Sequence, residues 1–430
     1  MTKTVNEMPV QTLMLRGRVR PLADFRDFQD FRGPSGASDC ADVQNVDSGA
    51  GRSLGADAAF KFDLELARFL EAFLDDAPTV AVHTSGSTGA PKAFEADKAR
   101  MRASARATVG FLGLEAGSTN LLAMPLKYIA GRMVVVRSIE CGLDLIPVPP
   151  SSNPFKTLGR PVDLCAITPM QAKTVLADPE TAPMLCACRK ILLGGGPVDE
   201  ELRAMLESAS GEAYATYGMT ETLSHVALMR LNGPNPDRGF RPMPGVSVHL
   251  SDKGTLVIDA PAVCAETLET RDRAKILEDG SFRILGRLDN VVNTGGVKVQ
   301  IEAVETKLAG VFPAPIAVSA RRSALYGEEV VLVMGCAPGA GVGAGAMNAV
   351  KALREVRRLG VRAEDFLRAR AVLERYERPH WVVLTDAIPR TGTGKPDRAG
   401  IRKIAELGAA ASWKALEAGV QMEAARAATS

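Results

Sequence analysis

Thr84-Ser85-Gly86-Ser87-Thr88-Gly89-Ala90-Pro91-Lys92 follows directly on an apolar run, Thr79-Val80-Ala81-Val82, that reads as a short buried strand. Gly86 and Gly89 let a backbone come close to a ligand, Thr84, Ser85, Ser87 and Thr88 offer hydroxyls to anionic oxygens, and Lys92 supplies a full positive charge. That is phosphate-binding chemistry. The Walker loop is excluded, because it ends in Gly-Lys-Ser/Thr and here Lys92 stands between Pro91 and Ala93. A flexible Ser/Gly linker has a similar composition, and the strand in front of the loop argues against it.

Fifty-two basic against fifty acidic side chains leave a formal charge of +2, so no global field recruits nucleic acid or an anionic membrane. The expected ligand is small. At 430 residues and 46% hydrophobic content the chain can fill the cores of roughly two to three domains. Seven cysteines are an odd number, and Cys186 and Cys188 stand too close for a Cys-x-x-Cys pair, which predicts a reduced, cytoplasmic protein. No apolar span approaches the roughly 18 residues of a membrane helix, and no basic segment precedes an apolar block at the N-terminus. Stable membrane insertion and secretion are not expected. His83, His225, His249 and His380 show no His-Glu-x-x-His spacing and no Gly-x-Ser-x-Gly elbow occurs, so zinc and serine hydrolases lose their support.

A possible strand at 11–15 precedes a Gly/Ser/Asp-rich run over 33–55 with little to bury, so 1–58 is expected to be a partly loose extension. Apolar residues from Phe62 to Phe73 suit one face of a helix over 60–74, and a second helix is expected over 98–112. Apolar runs at 120–125, 164–167 and 191–193 then alternate with helices as an α/β layer does. The last of them enters Gly194-Gly195-Gly196-Pro197 ahead of a helix over 199–209. Strand ends of this kind carry ligands in open α/β sheets, although such a turn by itself is more often a tight connection. The strand 213–217 runs into Gly218-Met219-Thr220-Glu221-Thr222, and short strands at 246–250, 254–258 and 282–285 predict a small β-subdomain. Beyond it come an amphipathic helix at 302–308, strands near 330–334 and 381–384, and an Ala-rich tail from 405 that reads as helical.

Four strings stand in an order that resembles the adenylate-forming superfamily of acyl-CoA synthetases, luciferases and adenylation domains. They are the 84–92 loop, Tyr217-Gly218-Met219-Thr220-Glu221, Gly286-Arg287-Leu288-Asp289-Asn290 with Gly295-Gly296-Val297-Lys298, and Pro389-Arg390-Thr391-Gly392-Thr393-Gly394-Lys395-Pro396-Asp397-Arg398. The resemblance implies an α/β fold: a large N-terminal domain over 59–289 with its β-subdomain, hinged at Asp289 to a smaller α+β domain over 290–405, then a helical tail over 406–430. It implies ATP, Mg²⁺ and coenzyme A as cofactors and a small carboxylic acid as substrate. Catalysis would fall to Lys395, Thr220 and Lys92. Nucleotide and phosphates would be held by the 84–89 loop, Gly195, Gly196, Pro197, Tyr217 and Gly218, with the Tyr217 ring on adenine and Thr220 on the α-phosphate. Glu221 would hold the metal, Arg287 would touch ribose, and Lys298 on the 295–298 loop would serve the second half-reaction. Tyr217 in the core with a solvated Glu221 is the bland alternative. Thr270-Arg271-Asp272 stands where the superfamily has Thr-Gly-Asp; Asp272 keeps the ribose-binding carboxylate and Arg271 departs from the pattern.

The region before the loop is shorter than in typical acyl-CoA synthetases, so part of the usual large domain is expected to be absent. Compact size and the string Met124-Pro125-Leu126-Lys127-Tyr128-Ile129-Ala130-Gly131 resemble the o-succinylbenzoate–CoA ligases of menaquinone biosynthesis. Their acid carries a second carboxylate that needs a cationic or hydrogen-bonding partner, for which Lys127, Tyr128, Arg132, Ser224 and His225 are the candidates. Activation of another aryl or acyl acid, with coenzyme A or a carrier protein as acceptor, stays open. So does a catalytically degenerate nucleotide-binding protein, which could cite Ala93 and Arg271. No feature of the sequence specifies an oligomeric state.

Overall fold

The computed structural model describes residues 12–15, 18–21, 54–83, 93–335, 349–391 and 395–419. The first strands are β1 (Thr12–Leu15), β2 (Arg18–Pro21), β3 (Thr79–His83), β4 (Ala93–Asp97), β5 (Thr119–Leu122), β6 (Asp144–Pro147), β7 (Leu164–Ile167), β8 (Lys190–Leu193), β9 (Glu212–Gly218), β10 (His225–Arg230) and β11 (Arg241–Pro242). Nine of them form one sheet in the order β11-β10-β9-β8-β7-β5-β6-β1-β2. Its centre, from β6 to β9, is parallel, and antiparallel pairs close both edges. The helices of this half are α1 (Leu54–Leu74), α2 (Lys98–Leu112), α3 (Ile129–Cys141), α4 (Phe155–Leu158), α5 (Pro169–Leu176), α6 (Ala182–Cys186) and α7 (Glu200–Leu206).

Apolar side chains fill both faces because successive strand residues point opposite ways. Leu164, Ala166 and Leu192 join α1, α2 and α3 in one core, whereas Cys165, Ile167, Ile191 and Leu193 join α5, α6 and α7 in the other. Helix α2 begins where Asp97 accepts from the Arg100 N–H at 2.9 Å and ends at Gly113 with φ +60°, a left-handed cap that suits glycine. The extension expected to be loose is partly built in: β1 pairs with β6 through Leu15 and Leu145, and α1 already starts at Leu54.

The apolar run at 79–82 is a half-buried strand outside the large sheet. Val80 and Val82 are buried while Ala81 is exposed, because β3 pairs only with β4 in a two-stranded hairpin. His83 faces Ala93 across that hairpin, so the two ends of the 84–92 loop are held side by side; the loop itself lies outside the described residues.

The β-subdomain is a four-stranded antiparallel sheet of β12 (Ser247–Leu250), β13 (Thr255–Asp259), β14 (Leu268–Ile276) and β15 (Phe282–Arg287). A 3-10 turn, Leu288–Asn290, carries the chain into a six-stranded sheet of β16 (Val291–Thr294), β17 (Val297–Gln300), β18 (Ile316–Ser323), β19 (Gly327–Gly335), β20 (Trp381–Thr385) and β21 (Ala410–Ser412). Helices α8 (Ile301–Leu308), α9 (Ala349–Arg358), α10 (Ala363–Val372) and α11 (Arg398–Leu407) cover it. One short segment of the tail departs from the helical expectation. Residues 410–412 pair with β20, and Trp413 and Leu416 are buried in the core of this unit, so tertiary contacts override the Ala-rich helical preference there. Residues 413–419 are helical, and 420–430 lie outside the described residues. The architecture is mixed α/β throughout, with several sheets.

Candidate active site

Parallel pairing of β8 and β9 brings two of the sequence strings to one sheet edge. After β8, Gly195 takes φ +83° and Gly195, Gly196 and Pro197 are exposed; a Cβ on Gly194 would stand 2.8 Å from Thr216 Oγ1 of β9. After β9, Gly218 has no room for a side chain, since a Cβ would lie 2.1 Å from the Ser224 carbonyl oxygen. The chain then doubles back through a turn pinned by Thr222, whose hydroxyl accepts from the Met219 N–H at 2.9 Å and donates to the Ser224 carbonyl at 2.7 Å. Leu223 adopts φ +62°, an uncommon strain for a branched residue. Thr220 is left half-buried and Glu221 exposed.

A second cluster gathers residues far apart in sequence. Tyr217 packs against Phe240 and Phe282 with ring centroids 5.7 and 5.2 Å away, and its hydroxyl donates to Asp272 Oδ2 at 2.8 Å. Only 9% of Tyr217 stays exposed, so most of the ring expected to meet adenine is spent on the aromatic core. Burial, then the neighbouring Asp272, pushes the phenol's pKa well up. Arg287 Nη1 donates to Asp272 Oδ1 at 2.9 Å, and its Nη2 lies 3.6 Å from Asp289. Lys395, exposed on its loop, feels the field of this group: loss of hydration on its protein side lowers its ammonium's pKa, Asp272 works in the opposite direction and Arg287 adds to the lowering. The side chain keeps solvent contact, and its loop is closed where the Thr391 N–H donates to the Lys395 carbonyl at 2.7 Å. Residues 392–394 lie outside the described residues.

A third group contains a residue that the sequence strings do not point to. Arg137 sits mid-helix in α3 between Val136 and Ser138 with 3% exposure. Its Nη2 donates to Ser224 Oγ at 2.7 Å, and its Nε is buried without a partner. Burial lowers its pKa to about 10. Ser224 Oγ stands 3.4 Å from His225 Nδ1, and His225 Nε2 stands 3.1 Å from Thr108 Oγ1, which in turn donates to the Ser104 carbonyl at 3.0 Å. A consistent chain of donors runs from Arg137 through Ser224 to His225 Nδ1, and from His225 Nε2–H through Thr108 to Ser104. It requires a neutral imidazole. Burial, then Arg137, indeed holds the His225 pKa well below its ordinary value. His225 lines a shallow, solvent-open cleft together with Ser104, Ala107, Met243 and Gly245. The signal available in the sequence was a lone arginine inside the apolar stretch Val134-Val135-Val136-Arg137-Ser138-Ile139.

The remaining candidates separate. Arg132 is turned away from the Ser224–His225 group: Nε donates to the Leu126 carbonyl at 2.7 Å, Nη1 to the Ala81 carbonyl, and the guanidinium lies 5.2 Å over Phe69. It ties α3 to the β3 hairpin. Lys127 is exposed beside the half-buried Tyr128 ring, 5.9 Å from its centroid. Lys298 stands exposed on β17, and Gly296 at the tip of that hairpin has φ +81° with open space around it. Among the described residues no group of three or more His, Cys, Asp or Glu could hold a metal ion, and no helix is long and apolar enough to cross a membrane.

A family profile described as AMP-binding enzyme matches residues 37–263, just over half of the chain. A probable 2-succinylbenzoate–CoA ligase of Mycobacterium tuberculosis is 28% identical over 361 residues, covering 76% of this chain and 85% of its own. An AMP-forming acyl-CoA synthetase-like protein of Dyadobacter fermentans, of known structure, is 31% identical with a TM-score of 0.51, covering 79% of this chain and 93% of its own. The o-succinylbenzoate CoA synthetase of Bacillus subtilis, solved with its acyl-adenylate intermediate, shares the fold at 20% identity and a TM-score of 0.61, covering 77% of this chain and 70% of its own. The chain therefore belongs to the AMP-binding enzymes, as an adenylate-forming acid–CoA ligase.

Proposed function

We propose that the protein converts o-succinylbenzoate, ATP and coenzyme A into o-succinylbenzoyl-CoA, AMP and pyrophosphate, as in menaquinone biosynthesis. The observation that carries the choice of acid is Arg137. A buried guanidinium with one hydroxyl partner and an orphaned Nε is costly to keep. The free carboxylate of a dicarboxylate would supply the missing anion at Arg137 Nε, the donor that the chain from Ser224 through His225 to Thr108 leaves unused. The relatives named as 2-succinylbenzoate–CoA ligases support the same acid.

In the first step an oxygen of the other carboxylate attacks the α-phosphorus, and the bond to pyrophosphate breaks. In the second, the thiol sulfur attacks the acyl carbon, AMP leaves, and the thiol proton is lost. Neither step bonds the protein covalently. The chain's part is positioning and charge stabilisation. Lys92 and the hydroxyls of the 84–89 loop take the phosphates, Thr220 the α-phosphate, and Lys395 the oxygens between acid and α-phosphorus. Asp272 and Arg287 hold the ribose. Glu221, exposed at its turn, fits a Mg²⁺ that arrives on ATP, because Mg²⁺ takes one or two carboxylates alongside phosphates and waters. Held there, a metal ion would offset the charge of the phosphates. Lys298 and the open hairpin tip at 295–296 fit the approach of coenzyme A once the C-terminal unit, 290–405, turns about Asp289.

The test is pyrophosphate release from ATP with a panel of aryl acids, followed by thioester formation with coenzyme A or a carrier protein. o-Succinylbenzoate should be the best acid. Equal turnover of analogues that lack the second carboxylate would refute the assignment.

A further inference from the structure

The chain leaves the four-stranded sheet at Arg287 and enters the six-stranded sheet at Val291, its one crossing between the two units among the described residues. The turn between them is gripped from both sides. From the C-terminal unit, the Gln300 amide donates to the Arg287 carbonyl at 2.9 Å and to the Asn290 carbonyl at 3.3 Å. From the β-subdomain, Arg271 Nη2 reaches to 2.7 Å from Asp289 Oδ1. Strand alternation explains that reach. Thr270 and Asp272 are buried on the inner face of β14, and Arg271 between them points outward to the junction. A glycine at 271, as in the usual superfamily string, has no such arm. Arg287 does not replace it, because its Nη1 is already on Asp272 and its Nη2 is 3.6 Å from Asp289.

We infer that Arg271 is a positioning residue whose ion pair with Asp289 latches the junction in the arrangement that brings Lys395 to Asp272 and Arg287. The inference rests on the two-step reaction proposed above. Turning the C-terminal unit about 288–290 changes the backbone dihedrals of Asp289, the pivot, and so re-aims its carboxylate relative to Arg271 on β14, and the pair has to open for the swing. The Arg271 side chain is 64% exposed, so water and salt weaken the pair and the latch biases the arrangement by about two- to fivefold rather than locking it. Arg271 thereby favours adenylation over thioester formation, which needs the other arrangement.

Arg271→Gln keeps much of the side chain and removes the charge, and Arg271→Lys restores the charge. Three quantities decide the matter: ATP–pyrophosphate exchange, thioester formation from synthetic acyl-adenylate, and hydrogen exchange of the 288–291 amides in the full-length protein without ligands. In Arg271→Gln the ratio of thioester formation to adenylation should rise about two- to fivefold and the junction amides should exchange faster. Arg271→Lys should return both toward wild type. High salt should move wild type toward Arg271→Gln and move that variant less, since only Arg287, at 3.6 Å, still faces Asp289 there. An unchanged ratio together with unchanged exchange overturns the latch. If wild type performs neither half-reaction, the proposed function fails, and the exchange of 288–291 still decides the latch.

Discussion

Two groups of charged side chains flank the candidate site, and they are built on opposite principles. Around Asp272 each carboxylate has a cation on it, Arg287 on Asp272 and Arg271 on Asp289, and Lys395 shares the field of Asp272. In the other group Arg137 has a serine hydroxyl, a neutral histidine beyond it and, among the described residues, no carboxylate partner. A self-compensated cluster is stable empty and can exchange partners when the C-terminal unit moves. An uncompensated buried cation is complete only with an anion bound. On the proposed function, the difference would separate a nucleotide end that must move from an acid end that must select.

The largest test of that contrast is Lys395→Ala. Loss of one preorganised contact to developing charge should slow adenylation by about 10²- to 10³-fold. Thioester formation from supplied acyl-adenylate should survive, as measured in single turnovers. Equal loss in both steps would make the lysine part of a static site and erase the contrast.

Arg137→Met should reduce kcat/KM for o-succinylbenzoate by about 10- to 100-fold, the size of a lost charge-assisted hydrogen bond, and leave monocarboxylate analogues unaffected. Thermal stability should hold or rise, because an unpaired buried charge is removed at similar volume. A fall in stability, or equal loss on all acids, would return Arg137 to a structural role.

Glu221→Gln should raise the Mg²⁺ concentration for half-maximal adenylation on the order of tenfold, as expected for a lost charge attraction in a solvated site. Magnesium titration of the exchange reaction reads this directly, and an unchanged titration would leave Glu221 a solvated side chain.

The smallest effect is in pH. Lys395 carries a lowered pKa, so it loses its proton at lower pH than an ordinary lysine, and adenylation should decline on the alkaline side early. Arg137, at about 10, keeps its charge through neutral pH, and His225 is already neutral there. Preference for the diacid should therefore stay flat through neutral pH, where neither Arg137 nor His225 changes its charge. Lys395→Arg should push the alkaline limb upward, and a preference that titrates near neutrality would break the contrast.

How far the sequence foretells each group follows from its chemistry. Helix α2 was legible to its ends because Asp97 caps it and its apolar spacing is regular. Strand β14 was not, since its inward face carries Thr270 and Asp272 and its outward face Glu269, Arg271 and Arg273, so no apolar alternation shows. Strand β21 hid in an Ala-rich tail for want of any local strand signal; only its pairing with β20 defines it. In the site, Tyr217, Asp272, Arg287 and Lys395 stood in recognisable strings, and the structure brings them together. Arg132 and Arg137 lie on the same helix, and nothing local tells the one bonded to main-chain carbonyls from the one facing Ser224. That distinction depends on residues about 90 positions further along the chain.

The crossing at 288–290 sets the arithmetic of how Lys395 would be supplied. Joined through so short a connection, the C-terminal unit meets the nucleotide site at an effective concentration of about millimolar or above, whatever the dilution of the protein. Closure is then unimolecular, and its frequency is the same in a crowded cell and a dilute assay. Severed at that turn, the same two units would meet by diffusion. Adenylation would acquire a dependence on protein concentration, and the tether's contribution could be read as the concentration of free C-terminal unit that restores the intact rate.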